Sequence, residues 1–334
     1  MMTKRSKIAV TLRIIAAQFA LAAVLTKSAW SQSDEQFGIG DDITPPGKEF
    51  RAGHGSFSIE YSRAFDHGDY QGPAGVDSGQ VQFQTITLEG SYFVADNWEV
   101  RASIPFSRAK ADGMQQHFKL PTQCNADGTV CAVTFVDNGN YHSTWANWDF
   151  GVTYHTMIGD NYYLAPALDV YVPSHNYPFY GSAVVGQRET QYGISIELEH
   201  QFDFSNFYYT VAYQYVIKPR TLGIDSNYND FAFDLGYFIN PRLGIRLITD
   251  TRIGHGLTDA KVGDSFAAYG GFDNNPVWAL HDKVRLQNHA NVGMGIDYAI
   301  NDRYSAAFST LTSVWGQSNA RLANGIDLKL TRSF

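Results

Sequence analysis

Apolar and polar side chains alternate with a period of two residues along most of the chain after residue 55, and this alternation limits the possible folds more than any other feature. It is clearest in the stretch Trp98–Ser107. One side of that stretch carries Trp98, Val100, Ala102, Ile104 and Phe106, and the other carries Glu99, Arg101, Ser103, Pro105 and Ser107. Successive side chains of a β-strand point to opposite faces, so the pattern predicts a strand with one apolar and one charged face.

About twelve segments of this kind follow one another up to the last residue, Phe334. Short turns alternate with longer connections that are polar and rich in Gly, apart from a brief one near Gly316–Asn319. The short turns are Asp96-Asn97, Gly159–Asn161, Ser205-Asn206, Asn240–Arg242 and Asn301–Arg303, and most lead straight into an aromatic residue. Short turns at one end, long loops at the other and aromatics at the strand ends are typical of outer-membrane barrels.

Two environments could accommodate alternating strands, and the charged face decides between them. A soluble β-sandwich or lipocalin-like barrel would bury its apolar face, and the polar face would meet water. Glu, Asp and Arg could not fill the apolar core that a soluble barrel of about twelve strands would need. We therefore predict a membrane barrel in which the charged face points inward and the apolar face points outward. Only 17% of the residues are charged, and 20 Tyr and 22 Phe suit an outer surface that meets lipid. The sequence therefore predicts an all-β protein, a transmembrane antiparallel up-and-down β-barrel of about twelve strands.

The ionisable side chains on the second face are the candidate functional residues, because they are expected to face the lumen. They would either line water or pair with one another across strands. Carboxylates outnumber cationic groups among them, so an open pore should favour cations or neutral solutes. The lumen-facing candidates are Glu60, Glu89, Glu99, Arg101, Asp149, His155, Asp169, Glu197, Glu199, Asp234, Arg246, Asp250, Arg252, Asp297, Asp327 and Lys329.

The second strand contains a departure from the pattern. Val81 and Phe83 are out of phase with the apolar residues Ile86, Leu88 and Tyr92 that follow them. Such a change of phase predicts a β-bulge, or a strand that begins above the membrane.

The N-terminal region has the organisation of a secretory signal peptide. A basic start is followed by the apolar run Ile14–Leu25, which is too short to span a bilayer, and by the cleavage site Ala29-Trp30-Ser31. The predicted domains are therefore a signal peptide over residues 1–31, a periplasmic leader over 32–50 and the barrel over 51–334. Cleavage would remove basic residues from a chain whose net charge is already −8, which argues against nucleic-acid binding.

Cys124 and Cys131 are close together in a polar segment between the third and fourth strands. In an oxidising periplasm this spacing predicts a disulfide, and no nearby His or further Cys supports a metal site. No phosphate-binding Gly loop or cofactor motif is present, so no cofactor is expected.

Three stretches resemble a known family: Ile104-Pro105-Phe106, Asn147-Trp148-Asp149-Phe150-Gly151 and Val170-Tyr171-Val172-Pro173-Ser174. They resemble the outer-membrane transporters named for the meta-cleavage pathway of phenol degradation. The resemblance implies a barrel that admits small aromatic or hydrophobic compounds across the bacterial outer membrane. The final strand, which ends at Phe334, is similar to the closing strand through which such barrels meet their assembly machinery. The expected partners are thus that machinery, outer-membrane lipid and lipopolysaccharide, and a small-molecule solute.

Two other functions remain as alternatives. A lipid hydrolase would need His and Ser close together, and the nearest match is Tyr141-His142-Ser143-Thr144, which lacks the His-x-Ser-Asn-Gly run of outer-membrane phospholipases. A structural or adhesive barrel would use its long loops, near 111–143 and 254–285, the second of which contains Tyr269–Asp273. The expectation is a channel and not an enzyme.

Overall fold

A computed structural model describes most of the barrel region of the protein. The described residues are 50–69, 80–112, 138–159, 161–179, 181–258, 261–262, 264–265, 280–317 and 320–334. The predicted signal peptide, nearly all of the leader, the cysteine pair and Tyr269–Asp273 lie outside these residues.

The described chain consists mainly of twelve long strands. The fourth is interrupted at Ala146 and His155. The Ala146 amide still donates to Pro105 O of the third strand at 3.0 Å, and the His155 amide donates to Asn97 O, in the turn before that strand, at 2.8 Å. The strands are β1 (Gly55–Asp69), β2 (Gln80–Ala95), β3 (Trp98–Asp112), β4 (His142–Trp145, Asn147–Tyr154 and Thr156–Ile158), β5 (Tyr162–Pro173), β6 (Gln191–Gln201), β7 (Phe207–Ile217), β8 (Tyr228–Asn240), β9 (Leu243–Gly254), β10 (Asn288–Ala299), β11 (Tyr304–Gln317) and β12 (Ala320–Ser333). A short helix, α1 (His281–Val284), precedes β10.

The strands form a closed antiparallel barrel, which confirms the predicted fold class. Each strand pairs with its neighbours in sequence, and β1 also pairs with β12, for example through Ile59 and Leu330. The last residue completes this seam: Phe334 and Gly55 exchange two backbone hydrogen bonds of 2.9 and 3.0 Å. Closure leaves no unpaired sheet edge, which is a requirement for strands that cross a lipid bilayer.

The two faces of the barrel have opposite character, as the alternation predicts. Leu168 is 63% exposed on the outside, whereas the next residue, Asp169, is 5% exposed on the inside. Exposed apolar side chains recur on every strand, and they include Val100, Ile196, Leu235, Leu247, Ile296 and Leu328. A buried polar interior and an exposed apolar exterior are the reverse of a soluble protein, and they match a barrel that faces lipid.

Exposed aromatic residues lie at both ends of the barrel. At the end with the short turns, hereafter the turn end, Trp98 packs against Tyr154 with ring centroids 5.0 Å apart. At the opposite end, hereafter the loop end, Phe106 and Trp145 form an edge-to-face pair at 5.1 Å. Two such bands match the aromatic girdles of membrane barrels.

Val81 and Phe83 do not mark a β-bulge, so the first of the two expectations for this stretch was wrong, and a strand that begins above the membrane stays a prediction. The pairing of β2 with β1 runs without a register shift through both residues. Both side chains face inward and belong to a buried apolar cluster at the loop end, together with Ala183 and Val184. The phase of the pattern changes because the barrel interior becomes apolar at this level, where a loop packs into it.

Within the described part of the chain, no helix is long and apolar enough to cross a membrane.

Candidate functional site: the barrel interior

The sixteen lumen-facing candidates all lie on the inward-pointing positions of their strands. Four of them are half-buried, namely Glu89, Arg101, Glu197 and Asp250. The others are buried: Glu60, Glu99, Asp149, His155, Asp169, Glu199, Asp234, Arg246, Arg252, Asp297, Asp327 and Lys329. The structure brings most of them into ion pairs with one another.

Arg246 is the centre of the largest of these clusters. Its guanidinium donates to Asp297 through Nε at 2.7 Å and Nη2 at 3.2 Å, and to Asp234 through Nη1 at 2.7 Å. Its side chain therefore joins three adjacent strands, β8, β9 and β10. Because all three side chains are buried, the two carboxylates depend on this one cation for their charge balance.

A second arginine of β9 forms a separate pair nearer the loop end. Arg252 donates to both carboxylate oxygens of Asp230, at 3.0 and 3.2 Å. Its guanidinium also lies 4.0 Å from the ring centroid of Tyr228, a cation–π contact. Asp230 was not among the candidates, although it has the same strand parity as Asp234.

Arg101 of β3 reaches over β4 to Asp169 of β5, with 2.5 Å between Nη2 and Oδ1. The residue beneath the pair is Gly151. A Cβ atom at that position would lie 2.5 Å from Arg101 Nε and would also collide with Asp169. The missing side chain of Gly151 therefore makes this pairing possible. Gln214 of β7 extends the cluster by donating to Asp169 Oδ2 at 3.2 Å.

Lys329 connects the closing strand to the first two strands. Its ammonium lies 2.5 Å from Glu89 Oε2 and 3.9 Å from Glu60 Oε2. Ser58 donates a further hydrogen bond of 2.9 Å to Glu89. These contacts stabilise the seam between β12 and β1 from the inside.

These ion pairs share one geometric property. Each joins strands that are neighbours in the barrel or are separated by one strand. These ion pairs of the described residues therefore run around the wall. Such an arrangement gives the barrel a polar inner wall.

The turn end of the interior contains a compact aromatic and acidic cluster. His155 is 3.0 Å from Glu99 through Nε2 and 2.5 Å from the Tyr163 hydroxyl through Nδ1. Phe50, the last residue of the predicted leader, packs over His155 and Tyr163 with centroid distances of 5.2 and 5.6 Å. Phe93 completes the cluster at 4.9 Å from His155. The chain therefore enters β1 by passing over the turn-end mouth.

The connection between β5 and β6, residues 174–190, folds into the loop end of the barrel and is called the inner loop here. Its described side chains include several that are buried, among them Tyr177, Phe179, Val184, Gln187 and Glu189. Tyr177 is fully buried and donates to Asn147 Oδ1 at 2.5 Å, which ties the loop to β4. The loop narrows the loop-end mouth, and its apolar part forms the cluster with Val81 and Phe83.

Ionic contacts hold the second half of the inner loop. Glu189 lies 3.6 Å from Lys218, just after β7, and 3.3 Å from Lys283 in α1. Gln187 donates to the backbone oxygen of Asp282 at 3.1 Å, and the Lys283 ammonium lies 4.5 Å from the Phe179 ring. The inner loop is thus anchored to two other connections at the same end of the barrel.

Arg188 stabilises the inner loop from within. Its backbone is in the left-handed region, at φ 53°, which is uncommon for a residue with a side chain. The guanidinium donates to Tyr177 O at 3.0 Å and contacts Asn176, and it lies 4.5 Å from the Phe179 ring. Burial lowers the pKa of this guanidinium from its ordinary value.

Sequence reasoning missed the anchor residues Glu189, Lys218 and Lys283, because they lie in connections without a periodic pattern. His289 was also missed. It faces inward 3.5 Å from Asp250, and its parity with Asp297 could have identified it. Within the described residues, no group of three or more His, Cys, Asp or Glu side chains could hold a metal ion.

The short motif considered for lipid hydrolysis does not form a nucleophile–base pair. His142 and Ser143 are consecutive residues of β4, so their side chains point to opposite faces. His142 Nε2 lies 2.9 Å from Asn138 Oδ1 instead.

Comparisons with known proteins concern the fold. No protein-family model matches the chain, and no curated protein matches it. Among solved structures, the chain is similar to an outer membrane channel from Pseudomonas putida F1, with 10% identity, a TM-score of 0.60 and coverage of 88% of this chain and 100% of that chain. It is also similar to the NanC porin, at 11% identity, 83% and 98% coverage and a TM-score of 0.46. A third match is the toluene transporter TodX from P. putida, at 9% identity, 85% and 91% coverage and a TM-score of 0.41.

The likeness to the Pseudomonas channel supports the barrel fold independently of the pattern in the sequence. The other two TM-scores are too low to add to the argument. The fold is therefore one used by outer-membrane proteins.

Proposed function

We propose that the protein is an outer-membrane channel that admits small solutes. The observation that carries this proposal is the arrangement of the interior charges. The ion pairs of Arg101, Arg246, Arg252 and Lys329 run along the wall between near neighbours, so they line the interior with charged groups. A barrel built only as an inert anchor would have no need for so many buried charges, since apolar packing is often equally stable.

The composition of the wall and the sequence resemblance bear on the class of solute. Inward carboxylates outnumber cationic groups, which favours cations and neutral solutes over anions. The stretches Ile104–Phe106, Asn147–Gly151 and Val170–Ser174 favour membership of the phenol meta-pathway transporter family and, with it, small aromatic or hydrophobic solutes. On this proposal the strand ending at Phe334 is the part that meets the barrel-assembly machinery, and the aromatic bands meet outer-membrane lipid and lipopolysaccharide.

Conductance in planar bilayers tests the channel proposal. The purified, folded protein should give stepwise current increases in potassium chloride, and proteoliposomes should take up small neutral solutes, including phenol, faster than protein-free liposomes. A folded barrel that gives neither current nor uptake would contradict the proposal and would favour a structural or adhesive role.

The anchor of the inner loop provides a prediction for this channel. Glu189→Gln removes the charge shared by Lys218 and Lys283, so the loop should leave the mouth more often. The time-averaged conductance per channel should then rise, by about twofold if the anchor is worth roughly 0.5 kcal/mol. The matched control is Asp225→Asn in an exposed part of the connection between β7 and β8, which should leave conductance unchanged. Equal conductance of wild-type protein and Glu189→Gln would show that the inner loop does not limit the passage.

A further inference from the structure

Glu199 and Thr210 face each other on the inner wall and lack the partners that buried polar groups usually have. They are directly paired across β6 and β7. Glu199 is 3% exposed and Thr210 is 4% exposed. In the described part of the chain, neither Glu199 Oε2 nor Thr210 Oγ1 has a hydrogen-bond partner. A buried carboxylate without a donor is costly, so this position calls for a group that is not part of the wall.

The carboxylates that pair with Arg246 and Arg252 do have hydrogen-bond donors, unlike Glu199 Oε2. Asp297, Asp234 and Asp230 each accept hydrogen bonds from an arginine. Among the described side chains, Glu199 forms no ion pair with a Lys, Arg or His. Its carboxylate therefore has no cationic partner within the described part of the chain.

A second carboxylate lies next to it on the inner wall. Glu197 is on the same inward face two residues earlier and is half-buried. Its cross-strand neighbours are Ala165 on one side and Ala212 on the other. Both of these neighbours are short, whereas the neighbour of Glu199 on β5 is the buried Tyr163.

We propose that Glu199, Glu197 and Thr210 form a site for a small cation, either an alkali metal ion or a primary ammonium, on its way through the barrel. This proposal rests on the channel function above and names the selectivity element of that channel. Carboxylate and hydroxyl oxygens are the ligands that hard cations prefer, and an ammonium group would supply the hydrogen-bond donors that Glu199 Oε2 and Thr210 Oγ1 lack.

Reversal potentials across a potassium chloride gradient test the site. The wild-type channel should prefer potassium over chloride. Glu199→Gln should lower that permeability ratio about fivefold, which corresponds to about 1 kcal/mol. Thr210→Val, which removes the hydroxyl at nearly constant volume, should lower it less. Asp203→Asn, in the exposed turn after β6, is the matched control and should leave the ratio unchanged.

Repeating the measurement with ethylammonium chloride distinguishes the two kinds of cation. A fall for both cations identifies a site for positive charge in general, and a fall for one identifies that cation as the preferred ligand. Variants are first checked for heat-modifiable migration in gels, which reports a folded barrel. An unchanged ratio in a folded, conducting Glu199→Gln protein would overturn the site.

Crystals soaked in rubidium chloride separate this proposal from the channel proposal. An anomalous peak in contact with Glu199 is expected in the wild-type protein and should be absent from Glu199→Gln. A peak without any bilayer current would contradict the channel and support the site. The absence of a peak in the wild-type protein would contradict an alkali-metal site whatever the current, and an unchanged ethylammonium permeability of Glu199→Gln would then contradict the site altogether.

Discussion

Replacing Arg246 with Met should destabilise the folded barrel by about 3–5 kcal/mol. The reason is the number of groups that depend on this one side chain. Asp234 and Asp297 both accept its hydrogen bonds at 2.7 Å, and all three side chains are buried on the inner wall. Without the guanidinium, two carboxylates remain inside the barrel without their cation, and each must take up a proton or admit water. Urea-induced unfolding in phospholipid vesicles, followed by tryptophan fluorescence, measures the change.

Two control proteins separate this effect from a general loss of positive charge. The triple variant Arg246→Met, Asp234→Asn, Asp297→Asn removes the whole charged cluster and should recover most of the lost stability, since the penalty comes from the unpaired charges. Arg242→Met, at an exposed position in the turn before β9, should change stability by no more than about 0.5 kcal/mol. Equal effects of Arg242→Met and Arg246→Met would contradict the proposed role of the Arg246 cluster.

An arginine placed on the outer face should have the second large effect. Leu168 lies near the middle of β5, is 63% exposed and points away from the interior. If this face meets the hydrocarbon of a bilayer, Leu168→Arg should cost about 2–4 kcal/mol of folding free energy in vesicles. In a soluble protein the same change at so exposed a position would cost very little.

The matched control for Leu168→Arg is Phe204→Arg. Phe204 is fully exposed in the short turn between β6 and β7, at the edge of the barrel. The same substitution there should cost only about 0–1 kcal/mol, because the side chain reaches water. Similar costs at the two positions would show that the middle of β5 does not lie in hydrocarbon.

The strands and their two faces could be predicted from the sequence because the alternation is a local property. Most of the charged candidates have apolar neighbours on both sides along their strand, as Asp169 has Leu168 and Val170, so their face can be assigned without knowledge of the fold. The strand count could also be predicted, since each short turn has residues suited to it. Asn97, for example, adopts the left-handed backbone conformation at φ 68° that the turn after β2 requires.

The inner loop could not be predicted, because its contacts are far apart in the sequence. Gln187 and Asp282 are separated by 95 positions, and neither lies in a periodic segment. For the same reason, Val81 and Phe83 suggested an irregular strand, whereas they face an apolar loop inside a regular one. The ion-pair partners of the residues on the inner wall could not be predicted either. Which carboxylate meets Arg101 depends on the register of three strands and on the gap above Gly151.

Spin labels placed one at a time at positions 164–172 of β5 test most directly whether the apolar face meets lipid. In vesicles, collision rates with dissolved oxygen, which concentrates in hydrocarbon, should be high at the even positions that contain Leu164, Leu168 and Val170, and low at the odd positions that contain Ala165, Ala167 and Asp169. Oxygen accessibility that peaks at the odd positions, or that shows no period of two, would contradict a barrel with its apolar side in the bilayer and its charges within.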